Sequence, residues 1–305
     1  MKVFYFIKYF ENGFSDYFKK INNCVATFTF DLEDSIYDFN DRNKSSLLKE
    51  RYREILKNIL NQNQNIHQNH SIAIRINNPS TVEFMKDLKL LKDQNEIHWE
   101  TIIVPKVENV HQIEMTLMEL SKNQVKFQNI AIFIETNNGM SALKDIISCS
   151  IPDLKYVIFG HADYNFDNRI FPFIHQTEAQ YWSWVEKIFI DIVDSNIVFI
   201  NSPCLFLDDN DLFNFNLKKL SNIFKVRFGQ MTLTLNQTFL CNSFKKKDFV
   251  SLNYSSKMRA DKVEFALELI KEASRNKSDK SFSINSGNYF ICPQEVVMAR
   301  LFLDD

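Results

Sequence analysis

Three carboxylates crowd into four residues at Asp31, Glu33 and Asp34, directly after an apolar run that ends at Phe30. Anions this close repel one another unless a cation or N–H donors gather there. Read locally, the segment is a loop in which Asp34 or Ser35 caps the start of a helix. Read chemically, it is one side of a charged site. Arg75 stands between Ile74 and Ile76. A guanidinium in such a strand needs an anion, and its fork suits carboxylate or phosphate. A structural ion pair with the acids at 31–34 and a grip on a substrate are both open, and they are compatible. Lys106 follows Val104-Pro105; it can hydrogen-bond a substrate, form a Schiff base, or pair with an acid such as Glu108. Glu135 and Asp163 each close an apolar run. As an oxygen-only pair they suit Mg²⁺ completed by water and substrate oxygens; the plainer alternative is two capping acids. His161 reads as a packed or hydrogen-bonding residue, with metal ligation as the alternative.

Other chemistries find little support. His67, His70, His98, His111 and His175 form no spaced ligand set. Cys24, Cys149, Cys204, Cys241 and Cys292 are odd in number and contain no CxxC pair, which argues for reduced thiols and a cytoplasmic setting. Trp182 and Trp184 read as packing. No nucleophile elbow or phosphate-cradling loop is present. The net charge is −2, from 36 basic and 38 acidic residues, whereas nucleic-acid binders usually carry a basic excess. The short basic run 245–247 reads as a solvated loop. No stretch approaches the ~20 apolar residues of a membrane span, so neither nucleic acid nor membrane is expected as a partner.

The elements that must position these residues alternate along the chain. Short β-rich runs at 2–7, 25–32, 71–77, 101–106, 129–135, 156–160, 197–201 and 231–235 are separated by helical patterns, among them 43–60, 82–92, 110–122, 177–194 and 209–224. The polar residues Asp31, Arg75, Lys106, Glu135, Asp163, Asn201 and Gln230 recur at the ends of these runs, roughly every 30 residues. That is the length of one unit of a (β/α)₈ TIM barrel, and strand ends are where such barrels build their sites. A doubly wound sheet would show a Gly-rich turn after its first strand, and none is present. The reading is an α/β fold: a TIM-barrel domain at 1–242, then a C-terminal helical extension at 243–305 with a helix at 261–274, a short strand at 289–292, and a last helix from Pro293. At about 60 residues the extension buries too little surface to stand alone.

At these residues the chain resembles the citrate lyase beta-subunit and malyl-CoA lyase proteins of the HpcH/HpaI aldolase family, within the phosphoenolpyruvate/pyruvate-binding TIM-barrel superfamily. Asp31-Leu32-Glu33-Asp34-Ser35, with Lys44 and Arg51 after it, is similar to that family's DLED segment and following helix. Ile74-Arg75-Ile76-Asn77 resembles its RxN strand, Val104-Pro105-Lys106-Val107-Glu108 its PKxE segment, and Glu135-Thr136 with Gly139 its ET-x-x-G. Phe159-Gly160-His161-Ala162-Asp163 resembles FG-x-x-D, and Ser286-Gly287 through Pro293 and Ala299 resembles the tail. Four of the chain's five glycines fall in segments matched this way.

The resemblance implies a Mg²⁺-dependent carbon–carbon lyase or aldolase working through an enolate, with Mn²⁺ as a substitute ion. Glu135 and Asp163 would hold the metal. Arg75, Glu33, Asp34 and Lys106 would carry the chemistry, and Arg75, Gly160, His161 and Ala162 would hold an oxoacid. It also implies a homo-oligomer, trimeric or larger, whose tail reaches over a neighbouring subunit. A CoA thioester is the partner used in some branches. Here the eighth-strand segment reads Gly229-Gln230-Met231-Thr232-Leu233, without the family's Lys, His and Pro, and the tail's acidic position is Cys292. These departures remove residues that a thioester user would call on. They keep two alternatives open: a non-catalytic binding or assembly protein on the same barrel, and a phosphoenolpyruvate- or pyruvate-type enzyme.

Overall fold

Along the first strand the side chains alternate between two buried faces: Val3 and Tyr5 pack outward with the helices, and Phe4 and Phe6 pack inward. That two-residue period recurs around the whole sheet. The computed structural model describes residues 1–9, 12–34, 36, 42–63, 65–245, 261–275, 284–286 and 289–304. The chain runs β1 Lys2–Phe6, α1 Phe14–Ile21, β2 Thr27–Asp31, α2 Arg42–Gln62, α3 Ile66–Asn69, β3 Ile72–Arg75, α4 Val82–Asp93 and β4 His98–Val104. It continues through α5 Val110–Lys122, β5 Lys126–Ile134, α6 Asn137–Ser148, β6 Leu154–Phe159, α7 His161–Asp167, α8 Ala179–Ile192, β7 Val198–Asn201, α9 Asn210–Phe224, β8 Phe228–Thr232 and α10 Leu235–Ser243. The tail comprises α11 Lys262–Arg275, β9 Ile284–Ser286, β10 Tyr289–Ile291 and α12 Pro293–Asp304.

Strands β1 to β8 pair in sequence order and close into a barrel. All eight pairings are parallel, β8 returning to β1 with Gly229 opposite Lys2. The expected (β/α)₈ barrel is therefore the fold. Its interior holds Phe4, Ala73, Ile103, Ala131, Phe133, Ile158, Ile200 and Met231. The larger core lies between strands and helices, where Leu56, Phe84, Ile113, Leu143, Val185 and Leu217 meet the outer strand faces. At the N-terminal end of the strands the Lys2 ammonium reaches Glu100 at 2.6 Å, and Glu100 also accepts from Thr27 and Ser71, both at 2.7 Å. No described helix is long and apolar enough to cross a membrane.

Some expectations need correction. The eighth strand starts at Phe228, ahead of the expected 231–235. Gly229 weakens the apolar signal there, but a Cβ at that position would run into the Lys2 carbonyl. Asp34 lies in a turn, and the next described helix is α2. The Asp34 carboxylate meets the Lys106 ammonium and the Gln294 amide, and residues 35 and 37–41 lie outside the described residues, so the expected helix start falls there. In the extension β10 falls at the expected short strand, and it pairs antiparallel with β9. The extension packs on its own barrel. Phe290 N donates to the Leu205 carbonyl at 2.7 Å, Tyr289 bridges Phe206, and Leu205 joins a core with Phe265, Leu269, Ile291 and Val296. The division after residue 242 cuts the last residue of α10. Gly287, most of the 245–247 run and most of the expected loop after Arg275 lie outside the described residues.

Candidate active site

The ends of β2 to β6 gather seven ionisable side chains into one buried patch: Asp31, Glu33, Asp34, Arg75, Lys106, Glu135 and Asp163. Strand register makes the first pair, since Asp31 lies opposite Arg75 across β2 and β3. Arg75 sits two residues beyond inward-facing Ala73, so it points into the barrel mouth. Its Nε donates to Asp31 Oδ1 at 2.7 Å and its Nη2 to Oδ2 at 2.6 Å. Its Nη1 lies 3.1 Å from Glu33 Oε2. Phe6 and Phe133 flank the guanidinium at 5.5 and 5.3 Å. Burial pushes the Asp31 carboxyl up, but the Arg75 charge and its donors outweigh that and hold it below the usual range. The ion pair anticipated for Arg75 is present. The fork is not exhausted, because Nη1 and Nη2 each carry a second N–H.

Lys106 follows β4 with a left-handed backbone, φ 50°. Such a conformation costs a non-glycine residue on the order of 1 kcal/mol. Asn78 holds it, donating to the Pro105 and Lys106 carbonyls at 2.8 and 2.9 Å. The turn carries the ammonium to 2.5 Å from Glu33, 2.9 Å from Asp34 and 3.5 Å from Asp163. It also aims the Lys106 N–H at Glu135 Oε1, 2.8 Å away. Glu135 is two residues past inward-facing Phe133 and is 1% exposed. Gly160 lies flat against its carboxylate, where any Cβ would collide with Oε2.

Among the described residues, five carboxylates crowd around two cations in ion-pair contact, with Lys49 acting on Glu33 from farther away. The consequences fall unevenly. Burial, then the Asp34 charge, pushes Asp163 up to about 8 against the pull of Lys106. Burial and the Asp163 charge push Glu135 well above the carboxylate range. Burial and Asp34 also raise Glu33. Burial acts on Asp34 in the same sense, but Lys106 and Arg75 outweigh it and hold Asp34 low. Among the described residues no three His, Cys, Asp or Glu side chains converge as a ready cage. Glu135 and Asp163 are instead a two-carboxylate set, which suits Mg²⁺ when water and substrate oxygens complete the shell. The donor chemistry and the crowded carboxylates both fit that ion.

The other expected residues separate. The His161 ring turns away from the acids to His175, 3.2 Å distant, and burial lowers it to about 3. Its backbone N–H is taken by Ser202 Oγ at 3.1 Å. Ala162 packs against the cluster of Phe173, Cys292 and Met298. Lys44 and Arg51 occupy exposed positions on α2. On the opposite rim Asn201 accepts from Tyr181 at 2.6 Å and donates to Gln230 at 3.0 Å, and Gln230 donates to the Ser202 carbonyl at 2.7 Å. That half of the mouth is neutral and bonded to itself.

Two further groups brace the site: Asn77, the Asn of the RxN-like segment, and Gln294, which carries no clear signal in the sequence. Asn77 donates to the Leu32 carbonyl and to Asp87, which also binds Arg53 at 2.7 Å, a buried brace behind the acids. Gln294, on α12, donates to Asp34 at 3.1 Å and to both oxygens of Asp163 at 3.2 Å. Its one local signal is its place just after Pro293 in an expected helix.

No protein-family model and no curated protein matches the chain. Solved structures do resemble it. Haloferax volcanii malate synthase, as a pyruvate/acetyl-CoA ternary complex, superposes with a TM-score of 0.73 at 13% identity, covering 99% of this chain and 90% of that one. Protein CitE from Mycobacterium tuberculosis, in complex with magnesium and pyruvate, gives 0.56 at 14% identity, covering 84% and 93%. RipC from Yersinia pestis gives 0.58 at 17% identity, covering 79% and 93%. At these identities the likeness is one of fold.

Proposed function

We propose that this chain is a Mg²⁺-dependent enzyme, a divergent relative of the citrate lyase beta-type aldolases, that makes or breaks a carbon–carbon bond beside an oxoacid carbonyl. The observation that carries the reading is the buried pair of carboxyl groups at Glu135 and Asp163, crowded with three further acids around two cations, beside an Arg75 that retains donors. A structure with no cation to bind gains nothing from burying such a set. The neighbours solved with magnesium and pyruvate, or with pyruvate and acetyl-CoA, support the same chemistry. A divalent ion held by Glu135 and Asp163 would supply Lewis acidity at the oxoacid carbonyl and offset charge as the enolate forms. Mn²⁺ would serve in its place.

The chain's own residues supply the rest. Arg75, fixed by Asp31 and two aromatic rings, presents its remaining N–H groups to the substrate anion. Glu33 and Asp34 are pushed in opposite directions, which sorts their roles. Asp34 stays anionic and anchors Lys106, while Glu33, pushed up by burial and the Asp34 charge, is the member of the pair better suited to take or give a proton. Lys106 keeps both acids in place. The neutral, self-bonded Asn201–Gln230 side offers no charge to a CoA phosphate, so a small oxoacid adduct is favoured over a thioester. A trimeric or larger assembly belongs to the same proposal.

Calorimetric titration of the purified chain should show Mg²⁺ and Mn²⁺ binding, lost in Glu135→Ala. Absence of binding with or without pyruvate or oxaloacetate sinks the reading. One observation favours a second reading, binding or assembly without turnover: Lys106 and Gln294 already engage Asp163. Ion binding with no turnover across a panel of oxoacid adducts would support it.

A further inference from the structure

Among the described residues of the tail, Gln294 is the side chain that hydrogen-bonds the acid patch. Pro293 opens α12, as a proline readily does in a first turn, and Gln294 follows it. The helix start is firmly placed. Tyr289 Oη bonds His175 Nε2 at 2.9 Å and donates to Glu295 Oε2 at 2.6 Å. Cys292 and Met298 pack with Phe173, and α12 lies on α7, whose first turn carries Asp163. From there Gln294 Nε2 sits astride the Asp163 carboxylate, 3.2 Å from each oxygen, with Asp34 Oδ2 at 3.1 Å. The residue is only partly buried, so its side chain has room to swing outward.

Resting on the reading that Glu135 and Asp163 take a divalent cation, we propose that Gln294 is that ion's competitor: its amide occupies the Asp163 oxygens when the ion is absent, and ion binding releases it and loosens the first turn of α12 from the barrel mouth. The amide N–H carries partial positive charge. A cation drawing on either Asp163 oxygen meets that charge at short range and repels it. An amide hydrogen bond is also a weak answer to an anion inside this patch, whereas a divalent charge is a strong one. Ion and amide therefore cannot both be well placed, and the tail senses the ion through Gln294. Gln294 acts as a positioning residue for the tail.

The test uses the full chain, Mn²⁺ as probe, and two variants, Gln294→Ala and Gln294→Leu. Both should bind Mn²⁺ about three- to tenfold more tightly than the unaltered protein, the effect of no longer breaking one or two hydrogen bonds. In the unaltered protein Mn²⁺ should speed amide hydrogen exchange in the first turn of α12; in the variants exchange there should already be fast and insensitive to the ion. Equal or weaker Mn²⁺ binding in both variants overturns the competition. So does α12 exchange that Mn²⁺ leaves unchanged in the unaltered protein. Failure of all three proteins to bind Mn²⁺ is a different result: it removes the metal reading itself, and this inference with it.

Discussion

Arg75 and Asp31 form a buried two-pronged ion pair, with Phe6 and Phe133 on either side of the guanidinium. The pairing allows structure and chemistry to be separated. Arg75→Met takes the guanidinium away from a buried Asp31 that keeps the Glu33 N–H at 3.0 Å, which should cost about 3–5 kcal/mol in a denaturant titration. Adding Asp31→Leu removes the buried charge and should restore most of that stability. Turnover should stay lost in both, because neither chain keeps the guanidinium. Recovered activity in the double variant would mean that Arg75 serves only the fold. Part of this pairing is legible in the sequence. The isoleucines on either side of Arg75 imply a buried guanidinium, burial implies an anion nearby, and the register of β2 and β3 supplies Asp31 as that anion. The opposite behaviour of Glu33 and Asp34 is not legible. It depends on the Lys106 ammonium arriving from 72 residues away at Asp34, and no local pattern reports that.

The elements are more legible than their ends. Seven of the eight barrel strands overlap the apolar runs closely, because a strand buried on both faces must be apolar throughout. The eighth is displaced by Gly229, a residue whose reason for being there is the approach of β1. The tail is the hardest element to place. Its helices are periodic and visible, but where they dock depends on Tyr289, His175 and Glu295, brought together by the fold. That contact makes its own prediction. Tyr289→Phe keeps the ring against Phe206 and removes the hydroxyl between His175 and Glu295. Losing buried partners of this kind should weaken the docking by about 1–3 kcal/mol. Limited proteolysis should then cut the tail sooner while the barrel fragment persists. Tail and barrel yielding together, at the unaltered rate, would show that the docking does not depend on this hydroxyl.

For the whole molecule the balance is nearly neutral at −2, yet among the described residues the barrel mouth crowds five carboxylates around the two cations Arg75 and Lys106. That contrast should govern how stability follows pH. Asp163 is raised to about 8 and Glu135 is also raised, so the ion-free folded protein holds protons that the unfolded chain gives up near pH 4. Raised groups of this kind contribute stability that is complete below the unfolded value and lost as pH climbs through the folded one. Asp31 and Asp34 are shifted the other way, and their contribution falls away only in acid, below this window. From about pH 4 to about pH 8 the ion-free protein should therefore lose stability, by at most about 1.4 kcal/mol per pH unit for each proton released. Mg²⁺ binds the anionic form and adds stability by mass action, so its effect should grow as the protons leave. Thermal unfolding in chelator and in excess Mg²⁺ measures both trends. The gap in Tm should be small near pH 6, widen toward pH 9, and close in Glu135→Gln. A gap of constant size, or one that narrows with pH, would mean that the ion does not replace these protons and that the crowded acids are met in some other way.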